Sequence, residues 1–111
     1  MNFFSLFKRN LIYNFKKKIS VDNDNIDINS LDGLFNHYGS DKANIFKKTK
    51  NKGHGYSKFY KQKLEKLKNQ KVNILEIGSY AGASAAAFAK YLPDSKIFCF
   101  DINISNFEYK S

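Results

Sequence analysis

The chain has very little cysteine and proline, and it has no tryptophan. Its 111 residues include one cysteine and one proline. A single cysteine excludes an intramolecular disulfide, and because Cys99 stands in an apolar run we expect a small buried thiol. No apolar run reaches the length of a bilayer span, and the N-terminus lacks the charge-first order of a signal peptide. We therefore expect a cytoplasmic protein.

Arginine is scarce as well, although the chain is strongly basic. The net charge is +9, and 18 of the 19 basic residues are lysine. Residues 1–20 carry +5, residues 21–32 carry −4, residues 33–71 carry +9 and residues 72–111 carry −1. Proteins that follow a nucleic-acid backbone usually combine arginine with stacking aromatic residues in such a patch. The pattern favours a solvated lysine surface, with a basic interaction or RNA-binding module as the alternative.

The most informative motif is the run Val72-Asn-Ile-Leu-Glu-Ile-Gly-Ser-Tyr-Ala-Gly-Ala-Ser84. Its apolar first part predicts a short strand that is buried on both faces. Gly78 and Gly82 bracket a loop, where glycine permits positive φ and the close approach of a ligand. The alanine-rich run that follows predicts a helix, ended by Pro93, whose N-terminus directs N–H groups toward that ligand.

A second predicted strand carries Asp101, which lies 23 residues after Gly78. This is near the spacing at which an acidic residue meets ribose hydroxyls. Two residues depart from the dinucleotide fingerprint, because Tyr80 replaces its second glycine and Glu76 would repel a pyrophosphate. The Glu76 carboxylate suits the ammonium or sulfonium of S-adenosylmethionine instead.

These residues carry a resemblance to a known family. The run Leu75-Glu-Ile-Gly-Ser-Tyr-Ala-Gly82 resembles the first motif of class I S-adenosylmethionine-dependent methyltransferases, and Phe98-Cys-Phe-Asp101 resembles their second. Two alternatives stay open. One is an ordinary αβ unit whose glycines only make a tight turn and whose Glu76 caps the next helix. The other is a different Rossmann-type nucleoside-cofactor protein.

A second motif lies upstream, where Tyr38-Gly-Ser-Asp-Lys42 is followed by His54-x-Tyr56-x-x-x-Tyr60. The combination resembles sugar O-methyltransferases of the mycinamicin and related macrolide-tailoring type, whose usual form is Tyr-Gly-Thr-Asp-Lys, so Ser40 is a conservative departure. Ser40 and Lys42 can hold the zwitterionic amino-acid end of the cofactor, and Tyr38 can cover it. Alternatively, Ser40 and Asp41 cap a turn, and His54 is an ordinary loop donor.

Together the two motifs predict one cofactor site. The predicted cofactor-binding residues are Glu76, Gly78, Ser79, Tyr80, Gly82, Ser84, Asp101, Tyr38, Ser40 and Lys42. The expected substrate is a small molecule with a hydroxyl group, such as a sugar. In the family resembled, Mg²⁺ and a histidine base come from segments after the second strand, so we assign no metal ligand and no catalytic residue here.

The expected organisation has four parts. Residues 1–20 form a basic amphipathic helix, residues 21–30 a polar linker, residues 31–70 a helical segment, and residues 71–111 the first part of a Rossmann-like α/β domain. Only the first βαβ unit of that sheet is expected, with uncovered apolar faces and no closing element after the second strand. The chain therefore resembles the N-terminal portion of a methyltransferase, inactive by itself.

The N-terminal helix has two predicted uses. One helical stripe carries the apolar residues Phe4, Phe7, Leu11, Phe15 and Ile19, and the opposite face is basic. We expect this stripe to pack against the body of the protein or a partner subunit in an oligomer, because aromatic stripes are usually buried. The alternative is peripheral contact with an anionic membrane surface.

Overall fold

The computed structural model describes residues 3–15 and 17–110. Its four α-helices in this part of the chain are α1 (Phe3–Asn14), α2 (Leu31–Tyr38), α3 (Ser57–Leu64) and α4 (Ala83–Tyr91). The described strands are β1 (Ile19–Ser20), β2 (Ile45–Phe46), β3 (Asn51–Lys52), β4 (Asn73–Ile77), β5 (Lys96–Phe100) and β6 (Tyr109–Lys110). Single 3₁₀ turns follow at Glu65–Leu67 and Ile104–Asn106. The fold is therefore mixed α/β.

The two five-residue strands β4 and β5 pair in parallel and are connected by α4. The register aligns Asn73 with Lys96 and Ile77 with Phe100, so both strands end at the same edge. The predicted strand, loop, helix and second strand are therefore all present. Because the chain leaves β4 at this edge, the glycine loop lies at the carboxyl end of the strands, where ligands bind in parallel sheets.

The core lies on one face of this sheet. Helix α4 covers that face and α2 packs against α4, where Phe35 meets Phe88 edge to face with ring centroids 5.5 Å apart. Small residues of α4, including the fully buried Ala87, allow the helix to approach its neighbours closely. The helix thus holds its N-terminus, and the loop before it, in a fixed position.

The opposite face of the sheet is exposed, which corrects the prediction of strands buried on both faces. Leu75 and Phe98 are aligned across the sheet and are 58% and 48% exposed, and Ile77 and Phe100 are 80% and 65% exposed. Burial alternates along both strands, because successive side chains point to opposite faces and the described helices cover only one. The expected uncovered apolar face is observed.

Residues 21–30 are packed more closely than a polar linker would be. Val21 is buried in the core, and Ile26 and Ile28 pack against it. The segment ends at Ser30, whose hydroxyl accepts a hydrogen bond from the Gly33 N–H at 3.1 Å and so caps α2. Apolar residues between the acidic ones therefore anchor this segment before α2 begins.

A short element also follows β5, where we expected none. Strand β6 pairs in parallel with β1, aligning Tyr109 with Ile19. The Tyr109 hydroxyl donates to the backbone carbonyl of Tyr38 at 2.6 Å, and the Glu108 N–H donates to the carbonyl of Ala81 at 2.9 Å. These contacts hold the residues after β5 against both α2 and the glycine loop.

Helix α1 is shorter than predicted, ending at Asn14, and Ile19 belongs to β1. Its apolar stripe is not buried against the body of the protein, which corrects the expected packing there. Phe4, Phe7 and Phe15 are 76%, 59% and 83% exposed, whereas Tyr13 is buried. Among the described helices, none has the length and apolar character needed to cross a membrane.

Candidate functional site

The glycine loop has a distinctive backbone. Gly78, Tyr80 and Gly82 all have positive φ, at 79°, 50° and 80°. A Cβ on Gly82 would lie 3.1 Å from the Phe107 ring, whereas one on Gly78 would meet nothing within 4 Å. Gly82 is therefore needed for packing and conformation, while Gly78 leaves the backbone open at the end of β4.

The loop is fixed to the end of β5. The N–H of Gly78 donates to the carbonyl of Phe100 at 2.7 Å, and the N–H of Tyr80 donates to Asp101 Oδ2 at 2.7 Å. The other carboxylate oxygen of Asp101 accepts from the Asn103 N–H at 3.0 Å. A tyrosine with positive φ is uncommon, so this carboxylate holds the loop in a conformation that the sequence disfavours.

The same contacts stabilise the ionised form of the Asp101 carboxyl group. Hydrogen bonds from the backbone N–H groups of Asn103 and Tyr80 lower the pKa of its carboxyl group, although partial desolvation acts in the opposite direction. The structure thus assigns Asp101 a role in holding the loop. Its predicted contact with a ribose remains a proposal, since each carboxylate oxygen can accept more than one hydrogen bond.

Glu76, at the end of β4, connects the two sequence motifs. One of its carboxylate oxygens, Oε1, accepts a hydrogen bond from the Ser84 hydroxyl and lies 3.7 Å from Lys42 Nζ. Lys42 Nζ also donates to the Ser84 hydroxyl at 3.2 Å. The other oxygen, Oε2, is buried and makes no hydrogen bond within the described part of the chain. The Glu76 side chain is only 11% exposed.

The upstream motif is held in place by residues that we did not predict. Asp32 Oδ1 accepts hydrogen bonds from the Asn44 N–H at 2.9 Å and from the Ser57 hydroxyl. The N–H of Tyr56 donates to the carbonyl of Lys42 at 2.9 Å. A Cβ on Gly53 would lie 2.0 Å from the carbonyl oxygen of Ala43, so only glycine fits there.

Ser40, Asp41 and Lys42 face different partners within this motif. The buried Ser40 hydroxyl accepts a hydrogen bond from the Lys42 N–H at 3.3 Å. Ser40 therefore caps a turn, as in the alternative to cofactor binding predicted from the sequence. Asp41 pairs with His54 at 3.4 Å near the surface, and the His54 ring stacks on Tyr56. Only the Lys42 side chain therefore extends to the carboxylate at the end of β4.

One cavity of about 680 Å³ opens between the two motifs. Of the predicted cofactor-binding residues, it is lined by Ser40, Lys42, Gly78, Ser79, Tyr80 and Ser84. Lys42 also borders a smaller neighbouring cavity of about 260 Å³, which Glu76 and Gly78 line as well. The structure thus brings together residues that are widely separated in the sequence, at the edge where the parallel strands end.

The remaining predicted residues lie elsewhere. Gly82 borders another cavity, of about 590 Å³, next to Phe107. Tyr38 is buried in the core beside Asp24 and borders a separate cavity, so it does not cover the predicted site. Burial, reinforced by Asp24, raises the pKa of Tyr38 well above its usual value. The Tyr38 ring packs edge to face against the Tyr109 ring, and this contact accounts for the buried position of Tyr38.

The cavity also has a wall that the sequence did not suggest. Tyr13 of α1 packs edge to face on Tyr80 with centroids 5.2 Å apart. Lys48 Nζ lies 4.1 Å from the Tyr13 ring centroid and 4.0 Å from Glu108 Oε2. The contact between Tyr13 and Tyr80 connects α1 with the glycine loop. The two residues are far apart in the sequence, and no local sequence pattern predicts that they meet.

Neither histidine lines this cavity. His37 Nε2 lies 2.9 Å from Asp24 Oδ2, and the hydrogen bond from His37 lowers the pKa of Asp24. Between residues 3 and 110, leaving out residue 16, no group of three or more His, Cys, Asp or Glu side chains is placed to hold a metal ion. Burial raises the pKa of Cys99, which is part-buried in β5.

Comparison with protein-family models, curated proteins and solved structures finds no match to this chain. The site is therefore defined by its geometry. That geometry is a glycine loop at the carboxyl end of a parallel strand pair, facing a lysine and a serine of the upstream motif.

Proposed function

We propose that this chain binds S-adenosylmethionine in the 680 Å³ cavity between the glycine loop and the upstream motif, with the first βαβ unit of a Rossmann-like methyltransferase. One observation carries the proposal: two motifs with independent resemblances to methyltransferases line the same cavity. Ser40 and Lys42 come from one motif, and Gly78 and Ser84 come from the other.

The size and polarity of the cavity fit such a cofactor. Small-molecule sites usually enclose about 300–1,000 Å³ and combine an apolar lining with a few polar groups. The first helical bond of α4 runs from the Ala86 N–H to the Gly82 carbonyl, so the N–H groups of the preceding residues lie at the cavity end of the helix. Such a helix terminus favours ligand oxygens or a carboxylate.

The unpaired carboxylate oxygen of Glu76 supplies the most specific support. A buried oxygen with no hydrogen bond costs free energy unless a donor or cation completes it. Glu76 Oε2 is such an atom, whereas Oε1 is already occupied by Ser84 and Lys42. Glu76 lines the neighbouring 260 Å³ cavity, which Lys42 and Gly78 also border, so the amino-acid end of the cofactor would extend from the larger cavity into this one. Its ammonium would complete Oε2, and Lys42 would then face its carboxylate.

The reaction proposed is transfer of the cofactor methyl group to a hydroxyl of a small molecule, such as a sugar. The bound cofactor would supply an electrophilic methyl group, and the described residues would hold and orient it. The sugar is inferred from the upstream motif alone. Neither histidine lines the described cavity, so we assign no catalytic base to it.

Calorimetry with S-adenosylmethionine, S-adenosylhomocysteine and NAD tests the proposal directly. Ala83 and Ala89 form a matched pair, because both lie in α4 and pack against the core, but only Ala83 lines the proposed cavity. Ala83→Leu should weaken S-adenosylhomocysteine binding by about tenfold or more, whereas Ala89→Leu should change it by less than about twofold. Tighter binding of NAD, or equal effects of the two variants, would contradict the proposal.

A further inference from the structure

The outward face of α1 is strongly apolar. Phe3, Phe4 and Phe7 are 84%, 76% and 59% exposed, and Leu11 and Phe15 continue the stripe at 45% and 83%. At about 100° per residue, the positions within α1 cluster on one side of the helix, and Phe15 directly follows its last residue. A contiguous apolar surface of this kind usually marks an interaction site.

The other side of α1 fixes the direction of this stripe. Tyr13 is buried and packs on Tyr80, so the helix lies against the glycine loop with its phenylalanines turned away. Ile12 also borders the proposed cofactor cavity. The helix is therefore attached by one face and available on the other.

The charge around the stripe is of one sign. Residues 1–20 contain five basic residues and no acidic residue. Lys8 lies beside the stripe in α1, and Lys17 follows the helix, and both are exposed. The other exposed apolar surface, on the sheet face of β4 and β5, lies in a segment with a net charge of −1.

We propose that α1 docks the protein on an anionic lipid surface. The phenylalanine stripe would enter the boundary between headgroups and acyl chains, while lysines remain at the level of the anionic headgroups. The helix has 12 residues, which makes it about 18 Å long, and this suits a helix lying in the plane of the surface. The exposed aromatic residues are accompanied by positive charge only. This combination favours an anionic lipid surface over a second copy of this chain, because the second copy carries the same positive charge.

Sedimentation with vesicles tests the apolar contribution. The full chain should bind vesicles of phosphatidylcholine and phosphatidylserine at about 7:3, and bind pure phosphatidylcholine vesicles much less. Phe7→Ala should weaken binding by about tenfold or more, because a buried phenylalanine contributes strongly. Phe100→Ala is the matched control, since Phe100 is similarly exposed but lies on the sheet, and it should leave vesicle binding unchanged.

The charge contribution has its own pair of variants. Lys17→Gln should weaken binding to the anionic vesicles by about fivefold, whereas Lys58→Gln, at an exposed position in α3, should have a much smaller effect. Equal binding to both vesicle types, or equal effects of Phe7→Ala and Phe100→Ala, would overturn the proposal. So would a stable dimer that Phe7→Ala dissociates while vesicle binding is absent. None of these three results would bear on cofactor binding.

Discussion

The ammonium of Lys42 lies 3.7 Å from Glu76 Oε1 and also donates to the hydroxyl of Ser84. Lys42 comes from the upstream motif, Glu76 from the end of β4, and Ser84 from the first turn of α4. Their side chains are largely shielded from solvent, so the Lys42–Glu76 attraction is screened less than that of a surface pair. This three-residue cluster holds the upstream motif against the strand pair.

A double-mutant cycle should detect this coupling. We expect Lys42→Met and Glu76→Gln to show a coupling energy of about 1 kcal/mol in chemical denaturation. Each single variant leaves the other, partly buried charge without its ionic partner. Lys61 and Glu65 provide the control pair, since they lie 3.8 Å apart but are 63% and 51% exposed. Their coupling should be about 0.5 kcal/mol or less. Similar values for the two cycles would remove the special role of the buried cluster.

Asp101 should contribute to both stability and cofactor binding. Asp101→Ala removes the acceptor for the N–H groups of Tyr80 and Asn103, so we expect it to lower the free energy of unfolding by about 1–3 kcal/mol. Affinity for S-adenosylhomocysteine, measured by calorimetry on the folded protein, should fall as well. The exposed Asp94→Ala variant is the control and should change neither quantity appreciably. Unchanged stability of Asp101→Ala would show that the loop does not depend on its carboxylate.

The same carboxylate predicts a pH dependence. Its pKa in the folded protein lies below the value of about 3.9 expected for an unfolded aspartate. Its contribution is therefore fully present above the unfolded pKa and is lost as pH falls through the folded pKa. Thermal melting between about pH 5 and pH 2 should show a steeper loss of stability for the native chain than for Asp101→Asn. Parallel curves would mean that other carboxylates account for acid sensitivity.

Gly53 should be required for the shape of the upstream motif. Gly53→Ala would place a methyl group in the space of the Ala43 carbonyl, and the N–H of Gly53 also donates to Asn44 O at 2.8 Å. We expect a loss of about 2 kcal/mol or more in unfolding free energy, because backbone atoms must move. Asn51→Ala, at an exposed position in β3, is the control. A Gly53→Ala variant with native stability would show that the motif accommodates the shift.

The parts of the fold that sequence predicted are those defined by neighbouring residues. The run from Val72 to Asp101 contains its own strand residues, turn glycines, helix formers and proline, so β4, the loop, α4 and β5 follow from local chemistry. The Lys42 side chain contacts Glu76 in β4 and Ser84 in α4, and its binding to a cofactor stays a prediction.

The errors concern residues whose surroundings come from distant segments. Tyr38 belongs to a motif associated with the cofactor, but the Tyr109 ring and the Asp24 segment enclose it within the core. The stripe of α1 has a helical period that would suit either burial or exposure, and the contact between Tyr13 and Tyr80 decides the orientation. Periodicity identifies an apolar face, but it does not identify what lies opposite.

The uncovered face of β4 and β5 affects how the protein behaves in concentrated solution. Four neighbouring apolar side chains, Leu75, Ile77, Phe98 and Phe100, form a surface that attracts like surfaces on other molecules. A net charge of +9 opposes their approach at low ionic strength. Added salt shortens the range of that repulsion to about 10 Å at 0.1 M and leaves the apolar attraction intact. Colloidal stability should therefore decrease as salt is added, and dilute buffers of low ionic strength should keep the chain dispersed.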